Sequence, residues 1–303
     1  MKRLTHLFLI MALVLAIVPF AVTDAAAEKV FVKADAVAEL VAADAPKLRV
    51  IDCRADEKLY AKGHVPGALY LNVRGALRVT GAWQTVGVRR QLEDQEELFG
   101  RQLGIDSDTM VVLYDDEGWD ATRLFWELKY AGHEQVAIMF GGWPEWTKHG
   151  FPVEKKVSKA TPALFVADVQ PQLLATASYI MSKMGDPNAV LLDARPPEQF
   201  KGDAKHPKAK IGGRLPTAVN AFTLANWEHK TYLKNPAELE EKFLELGVSR
   251  DKEIIVYCNT GYYAANTYFV LKALNYPNVR VYDYSWVEWG GKGFLPKIEG
   301  KAK

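Results

Sequence analysis

One of the two cysteines stands where a parallel α/β sheet places reactive groups. Cys258 directly follows the apolar run Glu253–Tyr257, and a stretch with helical periodicity begins a few residues later. A side chain at such a turn faces backbone N–H groups that the helix leaves unsatisfied, at the positive end of the helix dipole. Both features stabilise a thiolate, which is the nucleophilic form of cysteine. The alternative is a buried structural cysteine, because free cysteines are among the most buried residues.

The segment that carries this thiol has the composition of an anion-binding turn, and we call it the cysteine loop. Its six residues are Cys258, Asn259, Thr260, Gly261, Tyr262 and Tyr263. The glycine allows the backbone to curl through conformations that other residues rarely adopt. The N–H groups of the loop would then hold a sulfur anion, as an oxyanion hole holds developing negative charge. We therefore expect the cysteine to be catalytic and the other five residues to bind substrate.

Two arginines are candidates for binding an anionic substrate. Arg195 follows the strand-like run Ala189–Asp193, and Arg214 lies in the segment Gly213–Ala218. Arginine forms charge-assisted hydrogen bonds to anions. Each residue also has a structural alternative, which for Arg195 is an ion pair with a neighbouring carboxylate. The sequence leaves both alternatives open.

The cysteine loop belongs to a unit that the chain contains twice. Residues Leu103–Trp146 align with Leu246–Trp289 at an offset of 143 residues without a gap. In the first copy the loop positions are occupied by Asp115–Asp120, which we call the aspartate loop, so Asp115 stands where the second copy has its cysteine. The second copy also carries an insertion around Lys201–Lys210. An internal repeat of this length indicates a duplicated domain.

Each copy reads as short apolar strands that alternate with helices. This order predicts an α/β fold with two tandem domains, each a mostly parallel sheet with helices on both faces. We expect an N-terminal copy over residues 28–151, a linker over 152–164, and a C-terminal copy with the cysteine loop over 165–303. The linker is polar and rich in lysine, and Pro152 and Pro162 flank it.

The first 27 residues have the pattern of a secretory signal peptide. Lys2 and Arg3 precede the apolar run Leu7–Val22, and the small residues Ala25–Ala27 follow it. We expect cleavage after residue 27 and a periplasmic protein with no membrane attachment, while an uncleaved anchor is the alternative. The 38 Lys and Arg residues nearly balance 37 Asp and Glu residues, so no basic surface predicts nucleic-acid binding.

The motifs together resemble the tandem-domain rhodaneses, a family similar to thiosulfate and mercaptopyruvate sulfurtransferases. The resemblance is carried by Asp193-Ala194-Arg195, Gly63–Ala68, Cys258–Tyr263, Trp143–Trp146 and Trp286–Trp289. It implies that the Cys258 thiolate takes a sulfane sulfur from a donor such as thiosulfate or polysulfide. The resulting persulfide then passes the sulfur to cyanide or a thiol. The resemblance also implies no cofactor, no metal and an inactive N-terminal copy.

The sequence departs from the family in the cysteine loop and leaves other functions open. The loop lacks the cationic residues of thiosulfate-using relatives and the Gly-Ser-Gly-Val-Thr-like pattern of mercaptopyruvate-using ones. A cysteine phosphatase is disfavoured, since its Cys-x5-Arg motif would need arginine where Ala264 stands. The remaining alternatives are a non-catalytic periplasmic persulfide carrier, or sulfur-binding module, and a vestigial site. The acidic aspartate loop could bind a cation, although solvated charges explain it as well.

Overall fold

A computed structural model describes residues 30–79, 88–89 and 92–301. The predicted signal peptide, residues 1–27, lies outside the described residues, so its cleavage and the export of the protein stay predictions. No helix within the described ranges has the length and apolar character needed to cross a membrane.

The N-terminal copy is built on a five-stranded parallel sheet with the strand order β1-β7-β6-β2-β3. Its strands, with the separate antiparallel pair β4–β5, are β1 (Phe31–Val32), β2 (Leu48–Asp52), β3 (Leu69–Tyr70), β4 (Arg78–Val79), β5 (Val88–Arg89), β6 (Met110–Tyr114) and β7 (Val136–Met139). Its helices are α1 (Ala34–Ala42), α2 (Glu57–Lys62), α3 (Val73–Ala76), α4 (Leu92–Glu96), α5 (Asp120–Tyr130) and α6 (Gly142–Lys148). A π-helical segment, Glu97–Gln102, continues α4.

The C-terminal copy has a four-stranded parallel sheet with the order β10-β8-β13-β14. Its strands, with the antiparallel pairs β11–β12 and β9–β15, are β8 (Ala189–Asp193), β9 (Gly213–Arg214), β10 (Val219–Asn220), β11 (Trp227–Glu228), β12 (Tyr232–Leu233), β13 (Glu253–Tyr257), β14 (Val279–Val281) and β15 (Ile298–Glu299). Its helices are α7 (Ala177–Lys183), α8 (Pro197–Lys201), α9 (Pro236–Glu245), α10 (Tyr262–Ala273) and α11 (Ser285–Trp289), with 3-10 turns at Pro171–Leu173 and Thr223–Asn226. The predicted α/β fold of two parallel-sheet domains is confirmed.

The segment between the copies follows the surface of the first one. Residues 152–164 form no helix, and Glu154 makes an antiparallel bridge with His64. Further along, the Ala163 N–H donates to the Gly100 carbonyl at 3.0 Å. These hydrogen bonds attach the predicted linker to the N-terminal copy.

The two copies dock through α5 and α10, the helices that follow the aspartate loop and the cysteine loop. Phe269 of α10 packs edge-on against Phe125 of α5, with ring centroids 5.0 Å apart. It also meets Phe31 of β1 at 4.9 Å. All three rings are buried, and buried residues from both copies form one continuous hydrophobic cluster. The domain interface is therefore part of the hydrophobic core of the folded chain.

Truncation of the ring at the centre of this interface tests that conclusion. Phe269→Ala removes a fully buried side chain, so we expect a loss of about 3–5 kcal/mol in the free energy of unfolding. Phe294→Ala is the matched control, because Phe294 is 81% exposed and its loss should cost no more than about 0.5 kcal/mol. Denaturant unfolding measures both. Equal losses for the two variants would show that the interface contributes little.

Candidate active site

Cys258 lies at the end of β13, where α11 and the start of α10 surround it. It is 2% exposed, and its N–H donates to the Ser285 hydroxyl at 3.0 Å. Its carbonyl accepts from the Trp286 N–H at 3.0 Å. The Sγ accepts from the Gly261 N–H at 3.1 Å. The sulfur therefore meets a backbone donor of its own loop, as the sequence predicted.

Gly261 is required at its position by both backbone conformation and space. Its φ is +88°, in the left-handed region that favours glycine. A Cβ there would come within 2.3 Å of Asp283 Oδ1 and 2.9 Å of Arg123 Nη1. Gly261 also caps α10, so the thiol sits at the N-terminus of a 12-residue helix. A negative sulfur at this place is stabilised by the helix dipole.

Both cysteines are free thiols, and their surroundings differ. Cys53, on the N-terminal copy, is completely buried. Burial, with the negative charges of Asp115 and Asp52 adding to it, raises the pKa of the Cys53 thiol well above its ordinary value. This residue therefore stays a protonated, structural thiol, while Cys258 opens onto a cleft.

The cleft lies between the two copies and has a volume of about 750 Å³. The N-terminal copy contributes Arg74, Gly75, Glu117 and Trp119 to its lining. The C-terminal copy contributes Pro196, Gln199, His206, Lys208, Cys258, Asn259, Thr260, Tyr262 and Tyr263. Five of the six predicted loop residues thus meet in one cavity, and Gly261 supports them from behind.

An aromatic pair and a polar pair shape the cleft around the thiol. Trp119 stacks on Tyr263 across the domain boundary, with ring centroids 5.5 Å apart. Asn259 Nδ2 donates to Gln199 Oε1 at 2.8 Å. The Oδ1 of Asn259 is buried and has no hydrogen-bond partner among the described residues. The cleft therefore offers a substrate an aromatic wall and a buried acceptor close to the sulfur.

The structure places Arg195 in a buried ion pair and outside the described lining of the cleft. Its Nε donates to Asp193 Oδ1 at 2.9 Å, and its Nη2 donates to the Gly213 carbonyl at 2.7 Å. The guanidinium also lies over the Trp286 ring, 4.9 Å from the centroid. Only 1% of the residue is exposed, but its guanidinium interacts electrostatically with Cys258, and its predicted contact with substrate stays a prediction.

The N-terminal copy contains the same ion pair. Arg54 Nε donates to Asp52 Oδ1 at 3.0 Å, and Arg54 Nη2 donates to the Gly63 carbonyl at 2.7 Å. This geometry repeats that of Arg195 in a copy that has no cysteine loop. The pair therefore serves the fold of each domain, whether or not the domain does chemistry.

Arg214 is held by contacts within the C-terminal copy, and its predicted contact with substrate stays a prediction. Its guanidinium stacks on the Phe200 ring at 4.7 Å, and its Nη1 lies 3.5 Å from the Phe200 carbonyl. The residue pairs with Ile298 in the β9–β15 ribbon. It lies outside the described lining of the cleft.

Three other basic side chains line the cleft, and sequence reasoning missed them. Arg74 of the N-terminal copy is 56% exposed and holds Asp120 Oδ1 at 3.0 Å through its Nε. His206 and Lys208 come from the C-terminal copy. Burial lowers the pKa of His206, so that it is mainly neutral at pH 7. Both residues belong to the insertion that the first copy lacks, and that insertion was the signal that could have found them.

The aspartate loop shows how the equivalent backbone of the first copy holds a carboxylate, whose two oxygens both accept hydrogen bonds. The carboxylate of Asp115 accepts from the Gly118 N–H at 2.7 Å and from the Ala121 N–H at 3.0 Å. Burial raises the pKa of this carboxyl to about 7. Among the described residues, no group of three or more His, Cys, Asp and Glu side chains converges as a metal site. Two other carboxylates of the loop pair outside it, Glu117 with Lys230 and Asp120 with Arg74.

Comparison with known proteins places both copies in one family. A family model described as a rhodanese-like domain matches residues 33–149 and 176–292. Sulfur carrier protein TtuD of Thermus thermophilus is 32% identical over 84% of this chain and 92% of that protein. A thiosulfate sulfurtransferase of Pseudomonas aeruginosa is 33% identical over 83% of this chain and 91% of that protein.

Solved structures agree with these relatives. SseA from Escherichia coli, a 3-mercaptopyruvate sulfotransferase with the rhodanese fold, superposes on this chain with a TM-score of 0.74 and 28% identity. The match covers 84% of this chain and 98% of SseA. EanB, solved in complex with hercynine, superposes with a TM-score of 0.75 and 25% identity over 84% of this chain. Here the chain spans only 64% of the longer protein.

Substitution of the loop glycine tests the geometry around the sulfur. Gly261→Ala combines left-handed strain with a collision, so we expect at least a roughly tenfold slower alkylation of Cys258 and a loss of stability. Gly185→Ala is the matched control, because Gly185 has a φ of +85° with no atom near its missing Cβ. It should cost only about 1–2 kcal/mol of strain and leave the alkylation rate unchanged. Iodoacetamide kinetics and denaturant unfolding measure the two effects. An unchanged alkylation rate of Cys258 in Gly261→Ala would contradict the conclusion that the geometry of Gly261 supports the sulfur.

Proposed function

Because this chain belongs to the rhodanese family, we propose that it is a sulfurtransferase that works through a persulfide on Cys258. It would move a sulfane sulfur from thiosulfate, polysulfide or a similar donor to a thiophilic acceptor such as cyanide or a thiol. The observation that carries the proposal is the Cys258 sulfur, held at 3.1 Å by the Gly261 N–H and opening onto a cleft between the two copies. Its relatives with curated functions include sulfurtransferases.

The reaction consists of two displacements at sulfur. In the first, the Cys258 thiolate attacks the outer sulfur of the donor and a new S–S bond forms. The bond between that sulfur and the rest of the donor breaks, and the leaving group departs with the electron pair, as sulfite does from thiosulfate. In the second, the acceptor attacks the outer sulfur of the persulfide and the thiolate is released. Such covalent catalysis predicts ping-pong kinetics.

The hydrogen bonds of the aspartate loop suggest a position for the outer sulfur of the persulfide in the cysteine loop. Asp115 accepts two N–H groups, those of Gly118 and Ala121, and at the offset of 143 these correspond to Gly261 and Ala264. The Gly261 N–H already donates to Cys258 Sγ. We assign the outer sulfur to the region of the Ala264 N–H, at the first turn of α10. There the helix dipole favours its negative charge.

The lining of the cleft bears on the choice of donor. The cysteine loop itself carries no cation, so an anionic donor would be held by Arg74 of the N-terminal copy and Lys208 of the C-terminal copy. A cavity of about 750 Å³ is large for thiosulfate alone, and Trp119 and Tyr263 add aromatic surface to it. This space suits a longer sulfur chain or an acceptor with an apolar body.

A persulfide carrier is a second candidate function, and a specific observation supports it. A relative that aligns with 84% of this chain is named a sulfur carrier protein. A carrier would accept sulfur on Cys258 and release it only to a partner protein. Steady-state turnover with cyanide as a soluble acceptor separates the two functions, since a carrier would stop after one turnover.

We also propose that the protein acts in the periplasm. The proposal is supported by the pattern of residues 1–27, with its basic start, apolar run and small residues at the end. Cell fractionation with N-terminal mass analysis of the mature protein tests it. A cytoplasmic protein that keeps residue 1 would contradict it.

Removal of each thiol in turn tests which copy is active. Cys258→Ser should abolish sulfur transfer from thiosulfate to cyanide, because a hydroxyl is not ionised near pH 7 and cannot hold a persulfide. Cys53→Ser should keep most of the activity, because this thiol is completely buried in the other copy. The measurement is thiocyanate formation by the full chain. Comparable losses in both variants would refute a single active cysteine.

Neutralisation of a cleft cation tests how an anionic donor is held. Arg74→Gln should raise KM for thiosulfate roughly tenfold with little change in kcat, as expected for a binding contact that ground state and transition state share. Arg101→Gln is the control, since Arg101 is 75% exposed and pairs with Glu97 away from the cleft. Steady-state kinetics under saturating cyanide give both constants. An unchanged KM in Arg74→Gln would show that this residue does not meet the donor.

A further inference from the structure

An arginine of the N-terminal copy lies buried against the cysteine loop of the other copy. Arg123, on α5, has no exposed surface. Its Nη1 donates to Asp283 Oδ1 at 2.6 Å and lies 3.4 Å from the Gly261 carbonyl, while its Nη2 pairs with Glu127. A buried cation is costly unless it is paired and hydrogen-bonded. A buried, ion-paired cation directly behind a reactive loop indicates a function for Arg123.

The duplicated copies contact each other's loops at equivalent positions. At the offset of 143, Arg123 of α5 corresponds to Asn266 of α10, and Gly261 corresponds to Gly118. Asn266 Nδ2 donates to the Gly118 carbonyl at 2.7 Å, just as Arg123 contacts the Gly261 carbonyl. Each copy therefore uses the same helix position to hold the loop glycine of the other.

The two contacts differ in kind, since one is made by a neutral amide and the other by an ion-paired guanidinium. The neutral amide of Asn266 supports the aspartate loop, in which burial raises the pKa of Asp115 to about 7. The cationic side chain supports the loop in which Cys258 must ionise. For Arg123, burial opposes the charge, but Asp283 and Glu127 outweigh it and raise the pKa of the guanidinium. Arg123 therefore stays charged at neutral pH, and because two carboxylates offset that charge, its effect on the loop is to hold the backbone in place.

Arg123 is attached to both sides of the sulfur site. On one side, the Gly261 carbonyl accepts from the Ala265 N–H at 2.9 Å and faces the guanidinium, while the Gly261 N–H donates to Cys258 Sγ. On the other side, Asp283 lies two residues before Ser285, whose hydroxyl accepts from the Cys258 N–H at 3.0 Å. The guanidinium thus ties Gly261 and the start of α11 to the same point.

We propose that Arg123 is a positioning residue through which the N-terminal copy keeps the Cys258 thiolate reactive. It anchors the Gly261 carbonyl, which is separated by one Cα from the N–H that donates to the sulfur, and through Asp283 it anchors the segment that leads to Ser285. The proposal rests on the proposed function, in which this thiolate is the reacting group. It also gives the duplicated copy a direct part in the chemistry, since the C-terminal copy alone lacks this contact.

The test measures the thiolate directly and needs no sulfur donor. In a Cys53→Ser background, the full chain is alkylated with iodoacetamide across a pH series, and the modified Cys258 peptide is quantified by mass spectrometry. The variants are Arg123→Lys, which keeps a charge but loses the planar fork, and the double variant Arg123→Gln/Asp283→Asn, which removes the ion pair nearest the cysteine loop and leaves Glu127 in place. The matched control is Asn266→Ala, which removes the equivalent contact on the aspartate loop. Unfolding midpoints show that each variant is folded under the assay conditions.

We expect both Arg123 variants to alkylate roughly tenfold more slowly at pH 7, with the pH midpoint of the reaction displaced upward. The Asn266→Ala protein should be less stable but should keep the pH profile of the parent. An unchanged profile in the Arg123 variants would overturn the proposal. Equal displacement in Asn266→Ala would also overturn it, since the effect would then reflect domain docking alone. A parent protein that gives the expected alkylation difference but transfers no sulfur from any donor to cyanide would count against the proposed function and leave the positioning role of Arg123 standing.

Discussion

The proposed reaction imposes one constraint on the structure, which is that a nearly buried sulfur must be able to carry a negative charge. Burial penalises an anion unless hydrogen-bond donors replace the lost water. At Cys258 the replacement is backbone: the Gly261 N–H donates to Sγ, and α10 begins immediately behind it. The glycine at that position, the ion pair packed against its missing Cβ, and the docked N-terminal copy all follow from this requirement.

Duplication supplied one backbone frame that now has two uses. In the N-terminal copy the frame holds the carboxylate of Asp115, which closes the loop on itself, and in the C-terminal copy it holds a thiol that opens onto the cleft. The N-terminal copy contributes to the cleft through Arg74 and Trp119, and its α5 packs against the helix that follows the cysteine loop. This arrangement explains why buried residues of the two domains form one continuous core.

Local signals in the sequence predicted the cysteine loop well, and non-local ones were out of reach. Strand, glycine and helix are consecutive along the chain, so the place of Cys258 could be predicted from spacing and the fold from the repeat. The burial of Arg195 with Asp193 could not be predicted, because burial is a tertiary property. Arg74 and Arg123 reach the site only after the two copies dock, and their positions in the sequence carry no sign of that contact.

The most direct test of the central claim is the mass of the Cys258 peptide after the reduced full chain is incubated with thiosulfate, polysulfide and mercaptopyruvate in turn. A persulfide mechanism predicts one added sulfur on that peptide with at least one donor, its loss on addition of cyanide, and no sulfur on the Cys53 peptide. A chain that turns over sulfur while Cys258 stays unmodified with every donor, or whose sulfur is found on Cys53, would contradict the account.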